Sequence, residues 1–130
     1  MTEPPRSPRP AISCVMPAYN EAENLPVVLD EVTRQLGTLT DRWEIIVVDD
    51  GSRDATPQAV LPFLAQPGVR YVRLSRNFGK EAALTAGIDR AAGDIVLLMD
   101  ADGQHPATLL PRMLDAWRQG ADMVLSLIHI

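Results

Sequence analysis

Two acids one residue apart, Asp100 and Asp102, follow the apolar run Ile95–Met99 and precede an amide, Gln104. Oxygens at that spacing suit a hard divalent cation such as Mg2+ or Mn2+, which also accepts substrate phosphates as ligands. An ion held there would neutralise a diphosphate leaving group. A second acid pair, Asp49-Asp50, ends the run Trp43–Val48 and is followed by Gly51-Ser52-Arg53-Asp54. Carboxylates at the end of a buried strand are costly unless something pairs with them. Asp49 could accept a hydrogen bond from the ring N–H of a uracil or guanine. Gly51 lets the chain turn sharply, and Asp54 stands where it could cap the next helix. If the two pairs end neighbouring strands, their oxygens are expected to grip one ion and the pyrophosphate it bridges. Ordinary acidic turn chemistry is the competing reading of both segments.

Two further segments carry polar groups after apolar runs. In Pro17-Ala18-Tyr19-Asn20-Glu21, Pro17 fixes the chain as it leaves a strand and Tyr19 offers a flat face for a base. Asn20 or Glu21 could cap the next helix or bind the base edge. In Arg76-Asn77-Phe78-Gly79-Lys80, Arg76 and Lys80 could hold phosphate or line an acceptor side. A capped turn and a solvated basic turn are the plainer alternatives. His105 is not needed as a ligand because the oxygen set suffices, and His129 receives no role. Cys14 lies in the apolar run Ile12–Met16 and reads as an inert buried thiol. Met99 and Met113 read as core residues.

Something must hold these segments together. Short apolar runs alternate with amphipathic ones: strands over Ala11–Met16, Trp43–Val48, Val69–Leu74 and Ile95–Met99, with a fifth from Ala121. Helices are expected over Ala22–Leu36, Ala55–Ala65 (interrupted by Pro62), Lys80–Ala92 and Thr108–Arg118. Near-continuous apolar strands are those covered on both faces. Alternation of this kind implies βαβ units, a mostly parallel sheet and right-handed crossovers. Ligands in such sheets bind beyond the carboxyl ends of the strands, where all four segments fall.

The chain has 130 residues, enough for one small domain, and a formal net charge of −5. That balance argues against a general nucleic-acid binder, which usually shows a basic face, but not against a phosphorylated ligand, since one bound cation reverses the local field. A single cysteine rules out an internal disulfide and fits a reducing compartment. Residues 1–10 contain four prolines and two arginines and read as a disordered leader, not a signal peptide. No run approaches the roughly 20 apolar residues that span a bilayer.

In order, Pro-x-Tyr-Asn-Glu, Val-Asp-Asp-Gly-Ser, Arg-Asn-Phe-Gly-Lys and Asp-Ala-Asp-Gly-Gln-His-Pro closely resemble the family 2 glycosyltransferases. Within that family they look like the polyprenyl-phosphate sugar transferases, the dolichol-phosphate mannose synthase and bactoprenol glucosyltransferase group. The resemblance runs from about Ile12 to Val124. It implies an α/β, GT-A (Rossmann-like) fold with a mostly parallel sheet and flanking helices, truncated after about the fifth strand. It implies that Pro17, Tyr19, Glu21, Val47, Asp49, Asp100 and Ala101 contact the nucleotide sugar. Asp100, Asp102 and Gln104 would hold Mg2+ or Mn2+ and the diphosphate, with Asp102 catalytic. The implied reaction moves a hexose from a UDP- or GDP-sugar to a dolichyl or undecaprenyl phosphate, with inversion, and the metal stabilises the departing diphosphate. The full-length protein is expected to work at the cytoplasmic face of a membrane through segments beyond this chain. On this resemblance residues 1–10 precede a nucleotide-sugar-binding part expected over residues 11–124. The last six residues, Leu125-Ser126-Leu127-Ile128-His129-Ile130, are what a common transposase sequencing adapter encodes, and are expected to be a read-through scar. The 130-residue chain alone is then expected to transfer little or no sugar and to expose a sheet edge.

Three other classes compete. A non-catalytic nucleotide-binding fragment would bind donor without transfer. A signalling receiver domain would place its acid pair after the first strand and one acid after the third, whereas here the pairs follow the second and fourth. A sugar-nucleotide nucleotidyltransferase would carry a glycine-rich basic loop where Pro17–Glu21 stands.

Overall fold

A computed structural model describes residues 10–102 together with 111, 112, 114 and 115. The expectations for Gln104, His105, Met113, His129, the fifth strand, the terminal six residues, most of the helix at Thr108–Arg118 and nearly all of the leader lie outside them.

Four strands form one parallel sheet: β1 (Ile12–Ala18), β2 (Trp43–Asp49), β3 (Val69–Arg73) and β4 (Ile95–Leu98), in the order β3-β2-β1-β4. The chain steps outward from β1 to β3 and then returns past β1 to lay β4 on its other side. The order of strands therefore reverses between β1 and β4. A crevice opens at such a switch point because the connections leaving the two strands diverge.

Side chains alternate across the sheet, as the two-residue period of a strand requires. One face presents Cys14, Met16, Ile45, Val47 and Leu97 to α1 (Leu25–Leu39), which buries Leu25, Val28, Leu29, Val32 and Leu36 along one stripe. The other presents Val15, Ile46 and Val48 to α3 (Lys80–Arg90). Gly87 lets α3 settle there, since a Cβ at that position would stand 2.3 Å from Cγ1 of Val15. Burial on both faces accounts for the unbroken apolar runs of β1 and β2.

Several boundaries differ from the sequence expectation. Strand β1 runs on through Pro17 to Ala18, pairing with Val48 and Asp49 of β2. Pro17 thus sits within the strand rather than at its exit. Its place is tolerated because pairing with β4 ends at Val15–Leu98, so the sheet no longer needs an N–H on that side. Helix α1 begins at Leu25, not Ala22, and runs past Gly37 to Leu39. The N–H groups of Asn20, Glu21 and Ala22 are taken by Ser52 Oγ, Thr56 Oγ1 and Asp54 Oδ2, and Pro26 suits a first helical turn. Neither Asn20 nor Glu21 caps α1. The residue ahead of the helix is Asn24, whose amide donates to Glu21 at 3.0 Å. Helix α2 is Thr56–Val60 and passes into a 3-10 turn, Leu61–Ala65, at Pro62, the interruption the proline implied. Asp54 stands one residue before the cap position, Ala55. Its carboxylate accepts from the backbone N–H and hydroxyl of Thr56 and from the N–H of Ala22, so it joins two loops as well as supporting α2.

Among the described residues no helix is long and apolar enough to cross a membrane. The lone cysteine, Cys14, is wholly buried. Met99 is core, as expected.

Candidate functional site

At the carboxyl edge of the sheet, a cleft of about 370 Å³ opens where the strand order reverses. Pro17, Ala18, Tyr19 and Glu21 reach it from the end of β1. Asp50 reaches it from just past β2, Asn77 and Gly79 from the loop before α3, Lys80 and Ala83 from α3, and Asp100 and Asp102 from the segment after β4. Residues from four distant stretches of sequence meet there only because the sheet is parallel and all its strands end on one edge.

Tyr19 is 41% exposed and lines the cleft. Asp100 and Asp102 both line the cleft, while Ala101 between them is buried. Lys80, the first residue of α3, places Nζ 2.7 Å from Oδ1 of Asp100.

The pair at the tip of β2 does different work from the pair after β4. Asp49 is wholly buried and does not line the cleft. Its Oδ1 accepts from the N–H of Ser52 at 2.8 Å, and its Oδ2 accepts from the phenol of Tyr71. Burial, and then the hydrogen bond to this carboxylate, push the Tyr71 phenol well above its ordinary pKa. Asp50 accepts from the N–H of Phe78 at 2.8 Å on Oδ1 and from that of Gly79 at 3.0 Å on Oδ2. It fastens the β3–α3 loop across the sheet edge. Val47 is wholly buried on the α1 side.

The expectation that two neighbouring strand tips would share one ion is therefore corrected. Strands β2 and β4 are separated by β1, and among the described residues no three His, Cys, Asp or Glu side chains are grouped to hold a metal. Of the acids expected to serve a cation, Asp100 and Asp102 both line the cleft. Two carboxylates fit a Mg2+- or Mn2+-type ion that completes its shell with substrate phosphate and water. The field of the cleft agrees: its described lining carries Glu21, Asp50, Asp100 and Asp102 against the single ammonium of Lys80. A diphosphate entering that surplus of negative charge needs a cation to accompany it.

Of the remaining residues singled out from the sequence, Arg76 is exposed, with its guanidinium 4.7 Å from the ring centre of Phe78, and it does not line the cleft. Asn77, Gly79 and Ala83 line it without having been singled out as site residues. For Asp50 and Gly79 the only sequence signals were an acid at a strand tip and a glycine before a helix.

Comparison with known proteins defines the class. Residues 13–129 match the family described as Glycosyl transferase family 2, and the chain belongs to that family. It is 40% identical over 115 residues to an undecaprenyl-phosphate 4-deoxy-4-formamido-L-arabinose transferase of Aeromonas hydrophila, covering 87% of this chain and 35% of the relative. It is 42% identical over 117 residues to the bactoprenol glucosyl transferase of Shigella phage SfV, covering 88% and 38%. Among solved structures it resembles a mannosyltransferase from Pyrobaculum calidifontis in complex with GDP-Man and Mn2+, with TM-score 0.74 and 32% identity over 88% of this chain and 33% of that one. It also resembles glucosyl-3-phosphoglycerate synthase from Mycobacterium tuberculosis in complex with Mn2+ and UDP-glucose, with TM-score 0.69 and 28% identity over 85% and 40%. The mostly parallel sheet and flanking helices are those of its GT-A, Rossmann-like neighbours. The chain spans about a third of the length of the curated relatives it matches.

Proposed function

We propose that residues 11–124 are the donor-binding part of an inverting hexosyltransferase that uses a UDP- or GDP-sugar and a polyprenyl phosphate, dolichyl or undecaprenyl. The observation that carries this reading is the cleft at the β1–β4 switch point, lined by Tyr19 from the end of β1 and by Asp100 and Asp102 from the segment after β4. Relatives named as polyprenyl-phosphate sugar transferases support the acceptor class, and solved relatives bound to GDP-Man or UDP-glucose with Mn2+ support the donor class. Work on a membrane-borne acceptor would place the whole protein at the cytoplasmic face of the membrane.

In this reading Tyr19 stacks on the base, with Pro17 and Glu21 beside it. Ala101, buried in the core between the two acids, would meet the nucleotide only through the backbone of the segment after β4. Asp100 and Asp102, with Gln104, hold Mg2+ or Mn2+, and Asp102 is the carboxylate on which transfer most depends. The bound ion would supply positive charge to the departing diphosphate. Lys80 adds a further positive charge on the α3 side, and Arg76 stands outside the cleft toward the acceptor. Val47 and Asp49 support the nucleotide region from beneath: Asp49 has both oxygens engaged and shapes the loop rather than meeting the base.

Titration calorimetry of a panel of UDP- and GDP-sugars against this chain, with and without Mn2+, tests the reading. Binding should require Mn2+ and should weaken at least about tenfold in Asp102→Ala, the scale of a lost charge-assisted contact. Binding that ignores both the metal and the substitution would exclude this site.

A further inference from the structure

The proposed donor site leaves one contact without a role, the ion pair of Lys80 Nζ with Asp100 Oδ1 at 2.7 Å. The two partners are unequally exposed. The Asp100 side chain is 18% exposed, fixed just past β4, whereas the Lys80 side chain is 48% exposed. Its backbone cannot follow the side chain. Asp50 holds the N–H groups of Phe78 and Gly79 immediately before it, and Lys80 itself opens α3. Any travel of the ammonium is therefore rotation of a four-carbon stem about an anchored Cα.

From this geometry we infer that Lys80 is a counter-ion switch: it holds Asp100 before the divalent ion binds, and transfers to the donor diphosphate when ion and nucleotide sugar enter together. A divalent cation on Asp100 repels an ammonium on the same carboxylate. Binding of the bare metal must therefore weaken the hold of Lys80 on Asp100 while offering it no phosphate oxygen in exchange. Binding of metal and diphosphate together gives the ammonium phosphate oxygens in the same cleft, a charge-assisted contact. The same lysine thus opposes the metal alone and favours the metal with its nucleotide. By linkage, each ligand then strengthens the other by one common factor. The inference rests on the donor-site reading above.

The test measures two affinities in the intact 130-residue chain, in Lys80→Met and in Arg53→Met. The last removes a positive charge from the loop after β2 as a control. Mn2+ alone, followed by the free-ion electron paramagnetic resonance signal, should bind about two- to fivefold more tightly to Lys80→Met, the range expected for a half-exposed pair. Arg53→Met should match the parent. At saturating Mn2+, UDP-glucose or GDP-mannose should bind about tenfold more weakly to Lys80→Met. Opposite signs in the two measurements are the signature. Unchanged or weaker Mn2+ binding in Lys80→Met, or an equal gain in Arg53→Met, overturns the switch while leaving the donor site standing. No Mn2+ binding by any of the three chains removes the metal site and the switch with it.

Discussion

Tyr71 on β3 donates its phenolic hydrogen to Oδ2 of Asp49 on β2, across a register in which Tyr71 lies opposite Val47 and Asp49 opposite Arg73. The bond runs diagonally and closes over a carboxylate with no exposed surface. Replacing Tyr71 with Phe keeps the ring but leaves a buried carboxylate oxygen without its donor. The expected cost is about 1–3 kcal/mol of folding stability. Urea unfolding should show a lower midpoint with an unchanged slope, the mark of altered stability rather than altered compactness. A midpoint equal to the parent's would mean that water or another donor satisfies Asp49.

The β2–α2 turn depends on Gly51, which has φ +72°. A Cβ there would stand 2.3 Å from the carbonyl carbon of Arg76 and 2.5 Å from the nitrogen of Asn77. Both are backbone atoms of the loop that Asp50 fastens, so the clash cannot be relieved by turning a side chain. Gly51→Ala should destabilise the chain by about 1–3 kcal/mol, combining left-handed strain with displacement of the loop. The local consequence is more specific: amide exchange at Phe78 and Gly79 should accelerate beyond that of the β1 and β2 amides. Uniform change across the molecule would show that the loop had kept its hold on Asp50.

Cys14 points into the layer between the sheet and α1, and burial pushes its thiol up to about 12. The thiolate is the reactive form, so almost none is present near neutral pH, and no reagent reaches it without opening the core. A disulfide-exchange reagent should leave Cys14 unlabelled in native buffer and label it fully in urea. Native labelling at the rate of a free thiol would place Cys14 outside the core.

Much of this was legible in the sequence because the strongest signals are local. The apolar runs ending at Val48 and Met99 are strands, the first buried on both faces, and the acids that follow them mark the sheet edge where ligands collect. What the sequence hid was pairing over distance. Asp50 and Gly79 are 29 residues apart, and nothing near either one announces the other. The start of α1 lies later than periodicity implies for the same reason, since the N–H groups of Asn20, Glu21 and Ala22 find partners more than 30 residues away. Periodicity also cannot tell which side of β1 receives β4. That placement set β1 between the two acid pairs and left them with separate tasks.

At the opposite edge of the sheet, Glu44 of β2 ties four segments together. It accepts from the Ser13 hydroxyl at 2.6 Å and the Ala92 N–H at 2.8 Å, and it pairs with Arg70 at 2.8 Å. Burial alone would raise its pKa. The Ser13 and Ala92 hydrogen bonds and the Arg70 guanidinium together outweigh that effect and hold it below the ordinary value. A carboxyl whose pKa is depressed by folding contributes stability that is complete above its unfolded pKa, about 4.3, and is lost as pH falls through the folded value. Between neutral pH and about 5 this contribution should be flat, and it should decline below about 4.3. In Glu44→Gln the group cannot ionise, so its share of the acid sensitivity disappears while stability at neutral pH drops. The thermal midpoints of parent and variant, measured from neutral pH to about 3, should therefore converge toward the acid end. A constant gap across that range would show that Glu44 acts there through its shape and hydrogen bonds, not its charge.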